Sequence, residues 1–422
     1  VTDSLLLVGD IHLGRTPTRL ADSGVNAAAL GPAEAWRRTV DFALERGVGA
    51  VVLAGDVVEH ERDRFEAWGL LRDGVERLVA GGVQVLGVAG NHDAIALPKL
   101  ADRLGGFRLV GGGGTWECVQ VGGFDVVGWS FPDRHYTENP TTLPSLRAAL
   151  DARRTGVPAI GVLHADLDAG ASRYAPVRRT ELAELGLAGV FLGHIHAPSP
   201  LGDERIGYLG SLVGLDRGES GARGPWLLRH ADEGGLSLEQ IPLGPVHWTV
   251  VEVALDDIPD DEDAIHVAIE RAIRASAAEA PRFVAPLLAV GVSLELTGRS
   301  RARRAAGSLL HGGRTLEFAV DGARWVVVDV RDRTRPAIEL EALAGSESPP
   351  GALAELLLRI EREGASAIPE AVVRSLEAVD TPELARRGIE PLTPRAGELV
   401  TEALLEMLDV LLEQQRNGEG RE

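Results

Sequence analysis

The sequence predicts a layered α/β fold over residues 1–245, a smaller α+β domain over 246–344, and a linker with a helical C-terminal region over 345–422. Three observations predict it. Short apolar runs alternate with amphipathic helical stretches from residue 5 to about 241, which is how packed α/β layers read in sequence. A new strand, helix and strand pattern starts near residue 246, and the segment GSESPPG at 345–351 interrupts it with small residues and paired prolines.

In chain order, the apolar runs at 5–8, 50–54, 83–89, 124–129, 159–163 and 189–192 are expected strands. Between them, residues 34–45 and 64–79 carry apolar side chains at helical spacing, with Gly47 and Gly81 as stop signals. The GGGG run at 111–114 follows no strand-to-helix phosphate-loop pattern and is expected to be a surface turn. Beyond residue 246, WTVVEVAL is an expected strand, 261–278 a helix and 287–296 another strand. The last expected helix, 396–415, places Leu404, Met407, Leu408, Leu411 and Leu412 at three- and four-residue spacing and so has one apolar face.

Composition narrows the chemistry. A single cysteine, Cys118, excludes an intrachain disulfide and a thiolate metal cage, so any metal must be held by oxygen and imidazole nitrogen. No apolar run reaches the ~20 residues of a membrane-spanning helix, and the first residues read as a strand rather than a charged leader, so the expectation is a cytoplasmic protein. The net charge of −20 gives no long-range help in finding nucleic acid. Binding depends on local patches, however, and bound dications would neutralise a carboxylate-rich site. Lys99 is the sole lysine; the other basic residues are arginines, whose planar fork suits phosphate.

Five apolar runs end in residues able to bind metal. LLLVGD leads to Asp10 and His12, VVLAGD to Asp56, LGVAGN to Asn91 ahead of His92 and Asp93, AIGVLH to His164, and VFLGHIH to His194 and His196. Side chains at the carboxyl ends of adjacent strands converge on one edge of a sheet. A lone histidine on an apolar run is more often a hydrogen-bonded core residue. Five strand ends of this kind would make a poor core without shared cations, because buried carboxylates and imidazoles need partners.

In sequence order GDIHLGR, Gly55-Asp56, GNHD, His164 and GHIH resemble the five signature blocks of the calcineurin-like metallophosphoesterases. HLGR, GWSFP at 128–132 and YLGS at 208–211 further resemble the bacterial SbcD and YhaO type of DNA repair exonuclease. The resemblance implies a sandwich of two mixed β-sheets flanked by helices over 1–245 and a capping domain over 246–344. It also implies one metal on Asp10, His12, Asp56 and His196 and another on Asp56, Asn91, His164 and His194, with Asp56 shared. Such a pair, ~3.5–4 Å apart, promotes in-line attack on phosphorus. By the same resemblance His92 stabilises or protonates the leaving oxygen and Asp93 orients its ring. Oxygen and nitrogen ligation fits manganese best, with iron, zinc and magnesium compatible. Glu59, with His60 next to it, stands where the family often carries Asp or His, and either can line the site.

The implied activity is metal-dependent 3′ to 5′ exonuclease cleavage of DNA, with single-strand endonuclease action as an extension. The implied partners are DNA, a coiled-coil ATPase of the SbcC type docking on the C-terminal helices, and a second copy in a homodimer. Arg15, Arg134 and His135 are candidate DNA contacts, and Arg178 and Arg179 weaker ones. The acidic balance supports an alternative, a phosphodiesterase or phosphatase for nucleotides or other small phosphoesters. A noncatalytic scaffold would have no need of seven ligands and His92.

Overall fold

The computed structural model describes residues 4–17, 20, 26–59, 64–199, 202–231, 235–302, 305–306, 315–380 and 392–419. Its N-terminal elements run β1 (Ser4–Val8), α1 (Pro32–Arg46), β2 (Ala50–Ala54), α2 (Arg64–Ala80), β3 (Gln84–Val88), α3 (Ala96–Ala101) and β4 (Phe107–Leu109). They continue through β5 (Trp116–Val121), β6 (Phe124–Trp129), α4 (Pro144–Asp151), β7 (Ala159–His164), α5 (Arg179–Ala183), β8 (Val190–Gly193), β9 (Ile206–Tyr208), β10 (Trp226–His230) and β11 (Leu236–Gln240). One sheet has the order β11-β10-β1-β2-β3-β4 and a second the order β5-β6-β7-β8-β9. In the first, β1 to β4 are parallel and β10 pairs antiparallel with β1. In the second, β6 to β9 are parallel and β5 is antiparallel.

The sheets pack face to face. Alternation along β1 shows how: Leu5 and Leu7 join Val52, Leu86, Phe124, Ile160 and Phe191 between the sheets, while Leu6 and Val8 join the core under α1 and α2. Strands buried on both faces read as continuous apolar runs, so the pattern at 5–8 and 50–54 carried no polar alternation. On the far side of the second sheet Trp129, Leu163 and Leu192 pack with Leu146 of α4 and Leu182 of α5. The result is the expected sandwich of two mixed sheets flanked by helices. Pro32 opens α1 and Gly47, at φ 60°, closes it in the left-handed conformation, as the stop signal required.

After β11 come β12 (Val246–Ala254), α6 (Glu262–Glu279), β13 (Ala289–Thr297), β14 (Arg299–Ser300), β15 (Glu317–Val320), β16 (Ala323–Asp332) and β17 (Arg335–Pro336). A third sheet has the order β12-β13-β16-β15. The chain ends in α7 (Leu340–Ala344), α8 (Pro349–Glu363), α9 (Glu370–Val379) and α10 (Ala396–Glu419). Pro349 and Pro350 do not extend the expected linker: they start α8, whose N-cap Ser348 accepts from Gly351 N, because proline is preorganised for a first helical turn.

The chain divides into two compact units. One is Val1–Glu252 with Ile269–Glu295 and Gly313–Arg331; the other is Val253–Ala268 with Leu296–Gly312 and Asp332–Glu422. The second unit has its own core, in which Leu404 and Leu408 of α10 are buried with Leu357 and Ile360 of α8. Among the described residues no helix is long and apolar enough to cross a membrane.

Candidate metal centre

Parallel strands β1, β2, β3, β7 and β8 end on one edge of the sandwich, and all seven candidate ligands lie just beyond or at those ends. Their side chains form a continuous cluster. His196 Nε2 is 2.9 Å from His12 Nε2, which is 3.9 Å from Asp56 Oδ2. The same Asp56 oxygen lies 3.2 Å from His164 Nε2, which is 3.0 Å from Asn91 Oδ1, itself 3.1 Å from His194 Nδ1. Asp10 Oδ1 is 3.6 Å from His164 Nδ1. Asp56 therefore stands between a group holding Asp10, His12 and His196 and a group holding Asn91, His164 and His194.

The local backbone is bent to achieve this. His12, Asp56 and His194 have φ of 55°, 47° and 105°, a region that costs a non-glycine residue on the order of 1–3 kcal/mol. Hydrogen bonds between loops hold the bends: Ile11 N and His12 N donate to the Asp56 carbonyl, His92 N to Asp56 Oδ1, and His194 N to Asp10 Oδ1. The glycine ahead of Asn91 has a steric reason, since a Cβ on Gly90 would lie 2.2 Å from Asp56 Oδ1. YLGS also belongs here, because Ser211 N donates to the His196 carbonyl and Leu212 N to that of Asp10.

Each histidine turns one nitrogen inward and has the other against an acceptor. His12 Nδ1 lies 2.5 Å from Glu59 Oε2, His196 Nδ1 2.6 Å from Glu219 Oε1 and His194 Nε2 3.1 Å from Asp166 Oδ1, while His164 Nδ1 lies 3.1 Å from the Ala54 carbonyl. With a proton on each outer nitrogen, the inner nitrogens carry lone pairs. Two such lone pairs facing each other at 2.9 Å, on His12 and His196, repel unless a cation or proton lies between them. The buried Asp10 Oδ2 likewise has no hydrogen-bond partner among the described residues. Both features fit bound cations, as does the donor set, which offers oxygen and imidazole nitrogen in clusters able to hold metal ions.

Electrostatics agree with that fit. In the metal-free chain burial opposes protonation of His164, yet Asp56 and Asp10 outweigh it and raise its pKa to about 9. His12 is raised against burial by Glu59, Asp56 and Asp10. Asp56 is held well below the usual carboxylate range despite burial, by His164, His12 and His92. Protons on imidazole thus stand in for the positive charge the carboxylates demand.

His92 sits at the mouth with 36 % of its side chain exposed, its ring 5.3 Å from that of His12. The expected partner of its ring was Asp93, and here the structure differs. Asp93 is fully buried and accepts from the backbone N–H groups of Val57, Val58 and Gly90, whereas His92 Nδ1 lies 3.0 Å from the Glu59 carbonyl. A carboxylate that braces the turn from beneath cannot also reach a ring at its rim. Burial and the neighbouring Asp56 push Asp93 up to about 7 in the metal-free chain.

Of the two residues left open after Asp56, Glu59 lines the site, and His60 lies outside the described residues. Arg15 is exposed with Nε 3.9 Å from Glu59 Oε2, which places it at the same mouth. Arg134 and His135 are exposed beyond β6; the His135 ring is 5.9 Å from Tyr174, whose ring is 4.8 Å from His194. Arg178 pairs with Glu181, and Arg179 donates to the Ile206 carbonyl. Sequence reasoning missed Asp166 and Glu219. Asp166 follows His164 by two residues, a spacing that offers a weak signal, and Glu219 lies in a loop with none.

Residues 4–198 match the family model described as calcineurin-like phosphoesterase. The chain is 26% identical over 239 residues to the uncharacterized metallophosphoesterase YhaO of Bacillus subtilis, covering 50% of this chain and 52% of that protein. It is 33% identical over 86 residues to the DNA double-strand break repair protein Mre11 of Methanopyrus kandleri, covering 20% of this chain and 18% of that one. The chain thus matches about half the length of the first relative and less than a fifth of the second. Among solved structures, the purple acid phosphatase from yellow lupin (Lupinus luteus) seeds aligns at a TM-score of 0.40 and 14% identity, covering 57% of this chain and 51% of that one.

Proposed function

We propose that this chain is a two-metal phosphodiester hydrolase whose substrate is DNA, cleaved as a 3′ to 5′ exonuclease with single-strand endonuclease action as a second mode. The observation that carries the hydrolase reading is the cluster itself: seven metal-capable side chains from five strand ends, with four inward imidazole nitrogens and an orphaned Asp10 oxygen. Asp10, His12, Asp56 and His196 would hold one dication, and Asp56, Asn91, His164 and His194 the other, with manganese the best match to the donor set. Bound there, a dication pair polarises the phosphoryl oxygens and lowers the pKa of the attacking water.

The chain's own residues supply the rest. His92 keeps its Nδ1 proton on the Glu59 carbonyl and, as imidazolium, presents Nε2–H to the leaving oxygen. Glu59 Oε1 lies 3.8 Å from the same Nδ1. Arg15 at the mouth is suited to a flanking phosphate. DNA as substrate is supported by the likeness to the DNA double-strand break repair protein Mre11 and by the resemblance of the HLGR, GWSFP and YLGS segments to DNA repair exonucleases. We extend the proposal to a coiled-coil ATPase of the SbcC type and a homodimer as partners. Met407 and Val410, 54% and 53% exposed on α10, are apolar side chains suited to such docking.

A second reading, hydrolysis of nucleotides or other small phosphoesters, draws support from the net charge of −20, which repels a polyanion. Incubating the purified chain with manganese and either labelled linear DNA or bis-p-nitrophenyl phosphate separates the two. The proposal expects both to be cleaved; cleavage of the small ester alone selects the second reading.

A further inference from the structure

The histidines on the two sides of Asp56 are not braced alike. On the side of Asp10, both imidazoles are backed by carboxylates, His12 by Glu59 and His196 by Glu219. On the side of Asn91, His194 is backed by Asp166, whereas His164 Nδ1 has the Ala54 carbonyl at 3.1 Å and Asp10 Oδ1 no closer than 3.6 Å, and the third donor is a neutral amide. Glu219 lies outside residues 4–198, in a loop fastened at several points. Its Oε2 accepts from Leu215 N at 2.8 Å, and the indole of Trp248 on β12 donates to the Gly214 carbonyl at 2.8 Å. Arg223, buried behind it, donates to the backbone carbonyl of His196 and, at 2.9 Å, to that of Ser220. The same short segment therefore grips His196 by its ring and by its backbone.

We propose that Glu219 is a positioning residue that, with Glu59, makes the Asp10–His12–His196 group the tighter of two cation sites, and that Asp166 does the same, less strongly, for the group around Asn91. The proposal rests on the dinuclear reading of the site. Its physical basis is charge and tautomer. A carboxylate on Nδ1 fixes the proton there, aims Nε2 inward and makes it more basic. The Asp10 group has one ligand carboxylate of its own and two backing carboxylates, whereas the Asn91 group has no ligand carboxylate of its own and one backing carboxylate.

Calorimetric titration of the metal-stripped full chain with Mn²⁺ tests this without reference to turnover. The wild type should bind two ions with unequal constants. Glu219→Ala should weaken the tighter constant by about 10- to 100-fold and leave the weaker one unchanged. Asp166→Asn should do the reverse. Glu219→Gln, which retains an acceptor for Nδ1–H and the side-chain shape, should lose less than Glu219→Ala and serves if the alanine variant fails to fold. Equal weakening of both constants by either variant would reduce Glu219 to a source of bulk negative charge and overturn the proposal, as would unchanged binding. A wild type that binds fewer than two ions instead removes the dinuclear reading itself.

Discussion

His92 and Asp93 are neighbours with separate tasks. His92 is part exposed, with Nδ1 3.0 Å from the Glu59 carbonyl and a ring nitrogen within 4.8 Å of one on His12, but it is not among the seven proposed ligands, so replacing it should spare metal binding. His92→Ala is expected to lower kcat by about 10²–10⁴-fold, the range of a lost general acid, with Mn²⁺ stoichiometry unchanged. Steady-state assays paired with metal analysis check both halves. Asp56→Asn makes the contrasting case, because Asp56 lies between both groups: both ions should be lost, and activity with them. Of the residues proposed from sequence, the cluster of candidate ligands was legible because each closes an apolar strand with a polar group that a core would reject. Glu219 was not legible, because which carboxylate meets an imidazole is decided by loop geometry and leaves no periodic trace.

At the level of elements, the strands that carry ligands were readable for the same reason: β1, β2, β3, β7 and β8 are short apolar runs closed by a polar residue. The glycines in those closures are structural demands of the site. Gly90→Ala would put a Cβ 2.2 Å from Asp56 Oδ1, so the variant is expected to fold with a displaced Asp56 and bind Mn²⁺ at least tenfold more weakly, by calorimetry. What could not be read was the start of α8. Paired prolines mark both extended linkers and first helical turns, and only the Ser348 cap and the packing of Leu357 and Ile360 decide between them. α10 lies against that core through Leu404 and Leu408. Leu408→Ala should therefore destabilise the second unit by about 2–5 kcal/mol in denaturant unfolding. Hydrolysis of bis-p-nitrophenyl phosphate should be unaffected.

For the molecule as a whole, charge sets two expectations. His164 leaves its proton at about 6.5 in the unfolded chain but at about 9 when folded without metal, so the folded state holds more protons in that interval. Stability of the stripped protein should then fall as pH rises from about 6.5 to 9. Asp93, raised to about 7, acts with the same sign at lower pH. Glu59, lowered to about 2 by His12 and Arg15 against burial, acts oppositely: its contribution is present above its unfolded value and lost as pH falls through about 2. Dications replace the proton on His164, so the thermal midpoint of the Mn²⁺-loaded chain should not decline over the same interval. If DNA is the substrate of so acidic a protein, its binding must rest on a few local contacts. About three phosphate contacts would weaken roughly 20- to 40-fold over a fourfold rise in salt, while cleavage of the small ester would hold steady.

Everything turns on whether the cluster around Asp56 holds two cations. Anomalous diffraction from crystals grown with Mn²⁺ answers this directly. Two peaks about 3.5–4 Å apart are expected, with the Asp56 carboxylate between them. A single peak, or peaks lying away from Asp56, would contradict the account.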